Sequence, residues 1–404
     1  MTHLSDFDTA QQRFAAAFAP LDAATSVPIA QASGHVLAAP LTAVLDQPPA
    51  DHSAMDGYAV RHADLAHGEP LRVAQRCYAG DTPAPLAPRT AARLFTGGLI
   101  PPGADTVVMQ EHAHERDGGV TFDVPQRSGS HIRRRGEEVR AGELLVPAGV
   151  RMGAMHVGVA AAQGLARIDV RAALRVGILT TGDELVACGE PRAPQQIYNS
   201  NAPMLAALVA GTGADVAMSV HAADTATAVD RALRDLHAQC DLVICVGGAS
   251  VGDKDLLRPA LAALGASFVV ADVRMKPGKP VALARLDTRP VVLLPGNPGA
   301  AMTTFALFVA PLIRRLQGRD ACMPVVPSLP IDTGFEPDAQ RERFVRVRCT
   351  VDANGAPVLD TLRQQGAGTL QSLVQASGLA RLPAGRTIAR GDAVPYYEFA
   401  RWLA

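Results

Sequence analysis

Between about residues 174 and 316, short apolar runs alternate with helical patterns, and this alternation constrains the fold more than any other feature of the 404-residue chain. Residues 174–179, 242–246, 281–286 and 291–294 read as strands, with 216–220 and 267–270 as further candidates. Residues 203–210, 226–237 and 256–264 read as helices between them; Val229, Leu233 and Leu236 recur at helical spacing. Uniformly apolar strands separated by helices imply an α/β fold with a doubly wound, mostly parallel sheet covered on both faces. Such sheets bind ligands beyond the carboxyl ends of their strands. Three polar or glycine-rich segments fall at those ends, residues 180–184, 247–255 and 295–299.

The rest of the chain reads differently. Residues 6–18 suggest a helix, followed by short β-like runs at 57–60, 71–74, 106–109, 120–124 and 144–146, then a small-residue helix at 154–163. Runs at 344–349, 357–362 and 392–399 suggest a small β-rich domain at the C-terminal end. A single core rarely grows past ~250–300 residues, so several domains are expected. Lys plus Arg is 38 and Asp plus Glu 39, which leaves no overall basic field for nucleic acid. Any anion site must therefore be local. Six scattered cysteines without a C-x-x-C pair favour a reducing, cytoplasmic setting over a disulfide framework. Residues 1–14 carry Asp6 and Asp8 and lack a signal-peptide pattern. The uncharged stretch 291–313 approaches the length of a membrane span, but Pro295, Gly296, Asn297, Pro298 and Gly299 interrupt it. It reads as a buried strand, a turn and a core helix, with no membrane association.

The rim segments carry chemistry. Gly247 and Gly248, with Ser250 and Gly252, either close backbone N–H groups around an anion or form a plain tight turn; the neighbouring Asp253, Lys254 and Asp255 favour the former. Asp183, Glu184 and Asp255 offer carboxylates on two adjacent loops, a donor set suited to Mg²⁺ holding a phosphate; otherwise Asp183 caps a helix and Glu184 is solvated. Lys276-Pro277-Gly278-Lys279-Pro280 places two cations three residues apart on a constrained bend, where both ammonium groups can meet one small anion. Residues 133–138 form a charge cluster that reads as a solvated face, and the His112/His114 segment lacks a third ligand at metal spacing.

In order along the chain, DHSAMDGYAV (51–60), FTGGLIPPGADTVVMQE (95–111), RRRGEEVRAGELLVPAG (133–149), TTGDEL (180–185), IYNSN (197–201), GGASVGDKD (247–255), MKPGKP (275–280) and LPGNP (294–298) resemble the MoeA family of molybdopterin molybdenumtransferases, to which the E domain of gephyrin also belongs. The resemblance implies four domains: a discontinuous first domain (1–27 and 147–173), an inserted β-rich domain (28–146), a molybdopterin-binding α/β domain (174–327) and a C-terminal β-barrel (328–404). It implies a homodimer whose site lies between the sheet domain of one subunit and the N-terminal domain of the other. It also implies the reaction: adenylylated molybdopterin and molybdate give molybdenum cofactor, AMP and water, with Mg²⁺. Molybdopterin adenylyltransferase and the molybdenum enzymes that receive the product are the implied protein partners.

By position, Glu184 and Asp255 would serve Mg²⁺ and the adenylyl phosphate, and Lys276 and Lys279 would draw in molybdate. Asp56, Thr96 and Glu138 would act from the N-terminal domain, Asp224 would line the pterin side, Pro298 would sit at the cofactor, and Arg346 would come from the C-terminal domain. Three positions depart from the family pattern. Ala300 and Ala367 stand where serines are common, and Asp272 stands about where a lysine often precedes the KPGKP motif. These departures leave open an insertase for another oxyanion such as tungstate, or a non-catalytic cofactor-binding or scaffold paralogue.

Overall fold

The computed structural model describes residues 4–247 and 256–404. They divide into two compact units, one of residues 1–39, 148–157 and 167–404, the other of residues 40–147 and 158–166.

The larger unit is built on a six-stranded sheet in the order Asp215–Ala222, Arg175–Thr181, Leu242–Val246, Arg289–Leu294, Ala282–Leu286, Ser267–Ala271. The first four strands run parallel. Ala282–Leu286 is antiparallel to both its neighbours, so the sheet is mostly rather than wholly parallel. The cause is local: only Asp287 and Thr288 separate this strand from the next, and a two-residue connection joins antiparallel strands, whereas a parallel pair needs a crossover. Asp287 takes the positive φ of 51° that such a tight turn calls for.

Both faces of the sheet are covered, as uniformly apolar strands require. Val176, Ile178, Ile244, Val292 and Leu294 join one core cluster. Leu179, Val243, Cys245, Val291 and Leu293 alternate with them and join the other. The helix Ala226–Gln239 buries Val229, Ala232, Leu233 and Leu236, and Thr225 caps it by accepting a hydrogen bond from Ala228 N. The helix Pro298–Leu316 is long and apolar enough to cross a bilayer, yet nearly all of it is buried inside the fold. Phe308, in its π-helical stretch Phe305–Val309, packs on Phe7 and Phe14 of the helix Phe7–Ala16.

The same unit carries the C-terminal strands. Glu342–Val351 pairs with Pro357–Thr361 on one side and Gly378–Leu382 on the other; Ala393–Glu398 and Ser328–Pro330 follow. An isolated bridge from Ile331 to Leu359 brings the end of this path back to Pro357–Thr361, giving the expected small barrel around Val345, Val347, Leu359, Ala380 and Tyr396.

The smaller unit holds a six-stranded sheet ordered Thr106–Met109, Gly57–Val60, Thr90–Leu94, Leu71–Cys77, Gly119–Phe122, Ala113–Arg116. Tyr58, Val60, Leu71 and Val108 point to one cluster, and Ala59, Ala92, Leu94 and Val107 to the other. Period-two alternation thus buries both faces of a β-rich unit.

Candidate active site

The carboxyl ends of three adjacent strands meet as the sequence suggests. Gly247 follows Leu242–Val246 with φ 98°, and a Cβ there would lie 2.4 Å from the Thr181 carbonyl oxygen at the end of the neighbouring strand. Only glycine lets the two backbones approach this closely. Beside this junction, Asp224 N–H donates to Asp183 Oδ1 at 3.0 Å, and Asp183 N–H donates to Asp224 Oδ2 at 3.4 Å. Asp183 therefore ties two strand-end loops together instead of capping a helix. The Glu184 side chain is exposed at the rim.

The two-lysine loop lines the same cavity. Gly278 has φ 113°, and a Cβ there would meet Thr304 Cγ2 at 2.5 Å, so the bend packs directly on the Pro298–Leu316 helix. Lys276 pairs with Arg343 in a short parallel bridge to the strand Glu342–Val351. Lys276 and Lys279 are exposed, and neither forms an ion pair with a described residue. Two ammonium groups on one bend, neither in an ion pair with a described residue, form a local anion attractor in a chain of net charge −1. At the base of the loop, Arg258 Nη2 donates to Asp272 Oδ1 at 3.0 Å and to the Pro280 carbonyl at 3.4 Å. Arg258 thus spans both ends of the segment that carries the lysines. Asp272, at the position where the family pattern suggests a lysine, is buried with φ 60° and serves as the anchor of this clamp.

The third wall comes from Pro298, at the first turn of its helix, and from residues 365–368. Ala300 N–H donates to the Ala367 carbonyl at 3.2 Å, so the two alanines that stand where the resemblance leads one to expect serines are neighbours. Behind them Arg346 is 3% exposed and spends its guanidinium on carbonyls, with Nη1 donating to Thr369 O at 3.0 Å and Nη2 to Gly366 O at 2.7 Å. Burial pulls the Arg346 pKa down. Its place is to hold the 366–369 loop.

These walls enclose a cavity of about 1100 Å³, lined among others by Glu184, Asp224, Gly247, Lys276, Lys279, Pro298, Ala300 and Ala367. Of the residues given a site role from sequence, the structure thus brings six, Glu184, Asp224, Gly247, Lys276, Lys279 and Pro298, to one cavity and sets Arg346 behind it. Gly248, Ser250, Gly252 and Asp255 lie outside the described residues. Arg341 and Arg343 also line the cavity and escaped the sequence reading, while Tyr198, Asn199 and Asn201, which line it too, were matched only as part of the IYNSN segment with no role assigned. The alternating arginines of Arg341-Glu342-Arg343 were a usable signal, since every second residue of a strand shares a face. Among the described residues no three metal-ligating side chains cluster. The donor set present is carboxylate oxygen, from Glu184 and Asp224. That suits Mg²⁺, which takes one or two protein carboxylates and fills its remaining positions with water and substrate phosphate.

Asp56, Thr96 and Glu138 belong to the smaller unit. Thr96 donates to Asp56 Oδ1 from its backbone N–H at 2.7 Å and from its hydroxyl at 2.8 Å. These two bonds hold the Asp56 carboxyl below the usual carboxylate range, so it stays an anion. Glu138 is exposed, while its backbone N–H donates to the Gln47 carbonyl. The neighbouring arginines are fastened rather than freely solvated: Arg134 pairs with Asp51 at 2.6 Å and Arg135 with Asp46 at 2.5 Å. The segment 133–138 is therefore a shaped loop.

Comparison with known proteins agrees with this layout. The chain matches the MoeA N-terminal region (domain I and II) over residues 5–164, a probable molybdopterin binding domain over 177–315, and the MoeA C-terminal region (domain IV) over 328–399. It is 36% identical over 373 residues to a molybdopterin molybdenumtransferase of a Nostoc species, covering 88% of this chain and 84% of that protein. It is 38% identical over 309 residues to molybdopterin molybdenumtransferase 2 of Mycobacterium tuberculosis, covering 72% and 75%. The crystal structure of a molybdopterin biosynthesis MoeA protein from Pyrococcus horikoshii superimposes with a TM-score of 0.83 at 26% identity, over 98% of this chain and 99% of that one. With strand-end loops, lysine bend and C-terminal barrel all in the expected order, the chain belongs to the MoeA family of molybdopterin molybdenumtransferases.

Proposed function

We propose that this chain inserts molybdenum: adenylylated molybdopterin and molybdate are converted to molybdenum cofactor, AMP and water. The observation that carries the reading is the presence of unlike charges in one cavity, with Lys276 and Lys279 lining it together with Glu184 and Asp224. Molybdate is a dianion that must approach a dithiolene and a phosphoanhydride, both negative, and the two ammonium groups offset that repulsion. Lys276 and Lys279 bind the oxyanion and orient it toward the dithiolene. The Gly247 turn gives the substrate phosphate close access to backbone at the strand ends. Glu184, with Asp224 and Asp255, would hold Mg²⁺, which supplies charge neutralisation at the phosphoanhydride. Asp56, kept ionised by Thr96, acts with Glu138 from the N-terminal part.

We further propose a homodimer in which those N-terminal residues serve the partner's cavity. Supporting it, the helix Ala154–Ala162 contains no charged residue and leaves Met155 and Val159 exposed. A cytoplasmic setting accords with six free cysteines. Exchange with an adenylyltransferase upstream and with molybdenum enzymes downstream would follow from the reaction. A preference for a different oxyanion is favoured by one observation, the adjacent Ala300 and Ala367, which remove two hydroxyls from the same wall.

The test is direct. Purified protein is mixed with adenylylated molybdopterin and Mg²⁺, and AMP release is followed with and without molybdate or tungstate. Release that depends on the oxyanion is expected; AMP release indifferent to both oxyanions sinks the insertase reading.

A further inference from the structure

Two apolar residues inside the cavity have no part in the charge arrangement above. Ile197 is 56% exposed and Tyr198 44% exposed, and both line the cavity. Apolar side chains left open in a concave site, beside charged groups, are the usual lining of a pocket for an organic ligand. Their backbone is fixed. Ile197–Tyr198 runs parallel to Leu185–Val186, with Ile197 opposite Leu185 and Tyr198 opposite Val186. Ile197 N–H donates to the Glu184 carbonyl at 2.8 Å, and Asn199 N–H donates to the Val186 carbonyl at 2.8 Å. Asn199 is pinned in turn: its Nδ2 donates to Thr180 Oγ1 at 2.9 Å and its Oδ1 accepts from Ala202 N at 3.1 Å. The ring is thus registered against Glu184 by a two-strand ribbon and against the helix Asn201–Gly211 by Asn199. The Arg192 guanidinium lies 5.9 Å from the Tyr198 ring centroid and donates to the Gln196 carbonyl, closing the loop beneath the ring.

We infer that Ile197 and Tyr198 form a stacking shelf for a planar amino-substituted nitrogen heterocycle, one ring of the substrate. The inference rests on the reading of that substrate as an adenylylated pterin. Such a molecule carries two flat rings of this class, adenine and pterin, on either side of its phosphates. The lysine loop accounts for an oxyanion and the strand-end turns for phosphate, so neither wall supplies a face for a ring. A tyrosine face does, because every such ring has a π-surface. Glu184 lines the same cavity as the shelf, and a carboxylate oxygen left free by Mg²⁺ can accept from a ring amino group.

The experiment uses the full-length protein with Tyr198→Ala and Tyr198→Phe. AMP binding is measured by calorimetry and molybdopterin binding by its fluorescence. Tyr198→Ala should weaken one of the two about tenfold, as loss of a ring stacked on a base does, while Tyr198→Phe stays within about twofold of wild type. Loss confined to AMP assigns the shelf to adenine; loss confined to molybdopterin assigns it to the pterin. Molybdate binding, which belongs to the lysines, should be unchanged in both variants. Wild-type affinity for both ligands in Tyr198→Ala overturns the shelf alone. An altered oligomeric state with intact ligand binding also overturns it and makes the patch a protein contact. A wild-type protein that binds neither AMP nor molybdopterin overturns the insertase reading as well.

Discussion

Ala300 and Ala367 show how much a pair of methyl groups can say. Each lines the cavity, and a backbone hydrogen bond from Ala300 N–H to Ala367 O joins them. Serine at both places would put two hydroxyls on one wall, facing the same volume as Lys276 and Lys279. A neutral hydrogen bond contributes about 1 kcal/mol. Ala300→Ser or Ala367→Ser should therefore lower the molybdate concentration giving half-maximal AMP release by about fivefold each. The double variant should gain less than the product, because neighbours that share one ligand do not act independently. Molybdate titrations of the three variants decide this; unchanged half-saturation would mean the hydroxyls face away from the oxyanion. At this scale the sequence was legible wherever a residue type carries its own chemistry. The lysine bend, Glu184 and the Gly247 turn all fell at one rim. Tyr198 and Asn199 were legible only as members of the IYNSN segment, with no role attached, because an aromatic and an amide look the same in a core and in a cavity, and only exposure tells them apart.

Among elements, the lysine bend depends on what holds its two ends. Arg258 reaches Asp272 before the bend and Pro280 after it, and the Asp272 and Arg258 side chains are only 7% and 19% exposed. Neutralising one side of a largely buried pair removes a charge-assisted hydrogen bond that water cannot replace, which costs more than losing a surface contact. Asp272→Asn keeps a side chain tolerant of the positive φ but removes the charge. It should destabilise the protein on the order of 2 kcal/mol in urea titration and raise the half-saturating molybdate concentration, as the lysines lose their fixed spacing. In a cycle with Arg258→Gln, the two losses should be far from additive. Additive losses would show that the two side chains act separately. The clamp was invisible in sequence because residues 258 and 272 sit on different elements, and Asp272 first read only as a missing lysine. The reversal of Ala282–Leu286, by contrast, was in plain view. Asp287-Thr288 is too short for any crossover, and turn length outranks the apolar pattern that made the strand look parallel.

For the whole molecule, the proposed mechanism assigns work to residues of both units. Glu184, Asp224, Lys276 and Lys279 belong to one, and Asp56, Thr96 and Glu138 to the other. If the N-terminal residues serve the partner's cavity, two inactive variants can repair each other. Lys279→Ala removes half of the anion attractor, and Asp56→Ala removes the carboxylate that Thr96 holds ionised. Each homodimer should release almost no AMP. A heterodimer of the two places both lesions at one site and leaves the other intact. Random pairing makes about half of the dimers mixed, so co-expressed variants should recover about a quarter of wild-type AMP release. If every site instead draws all its residues from a single chain, no pairing restores one, and the mixture stays inactive. Tandem-tag purification of the mixed dimer sharpens the comparison, because its expected activity rises to about half of wild type while the null expectation stays at zero.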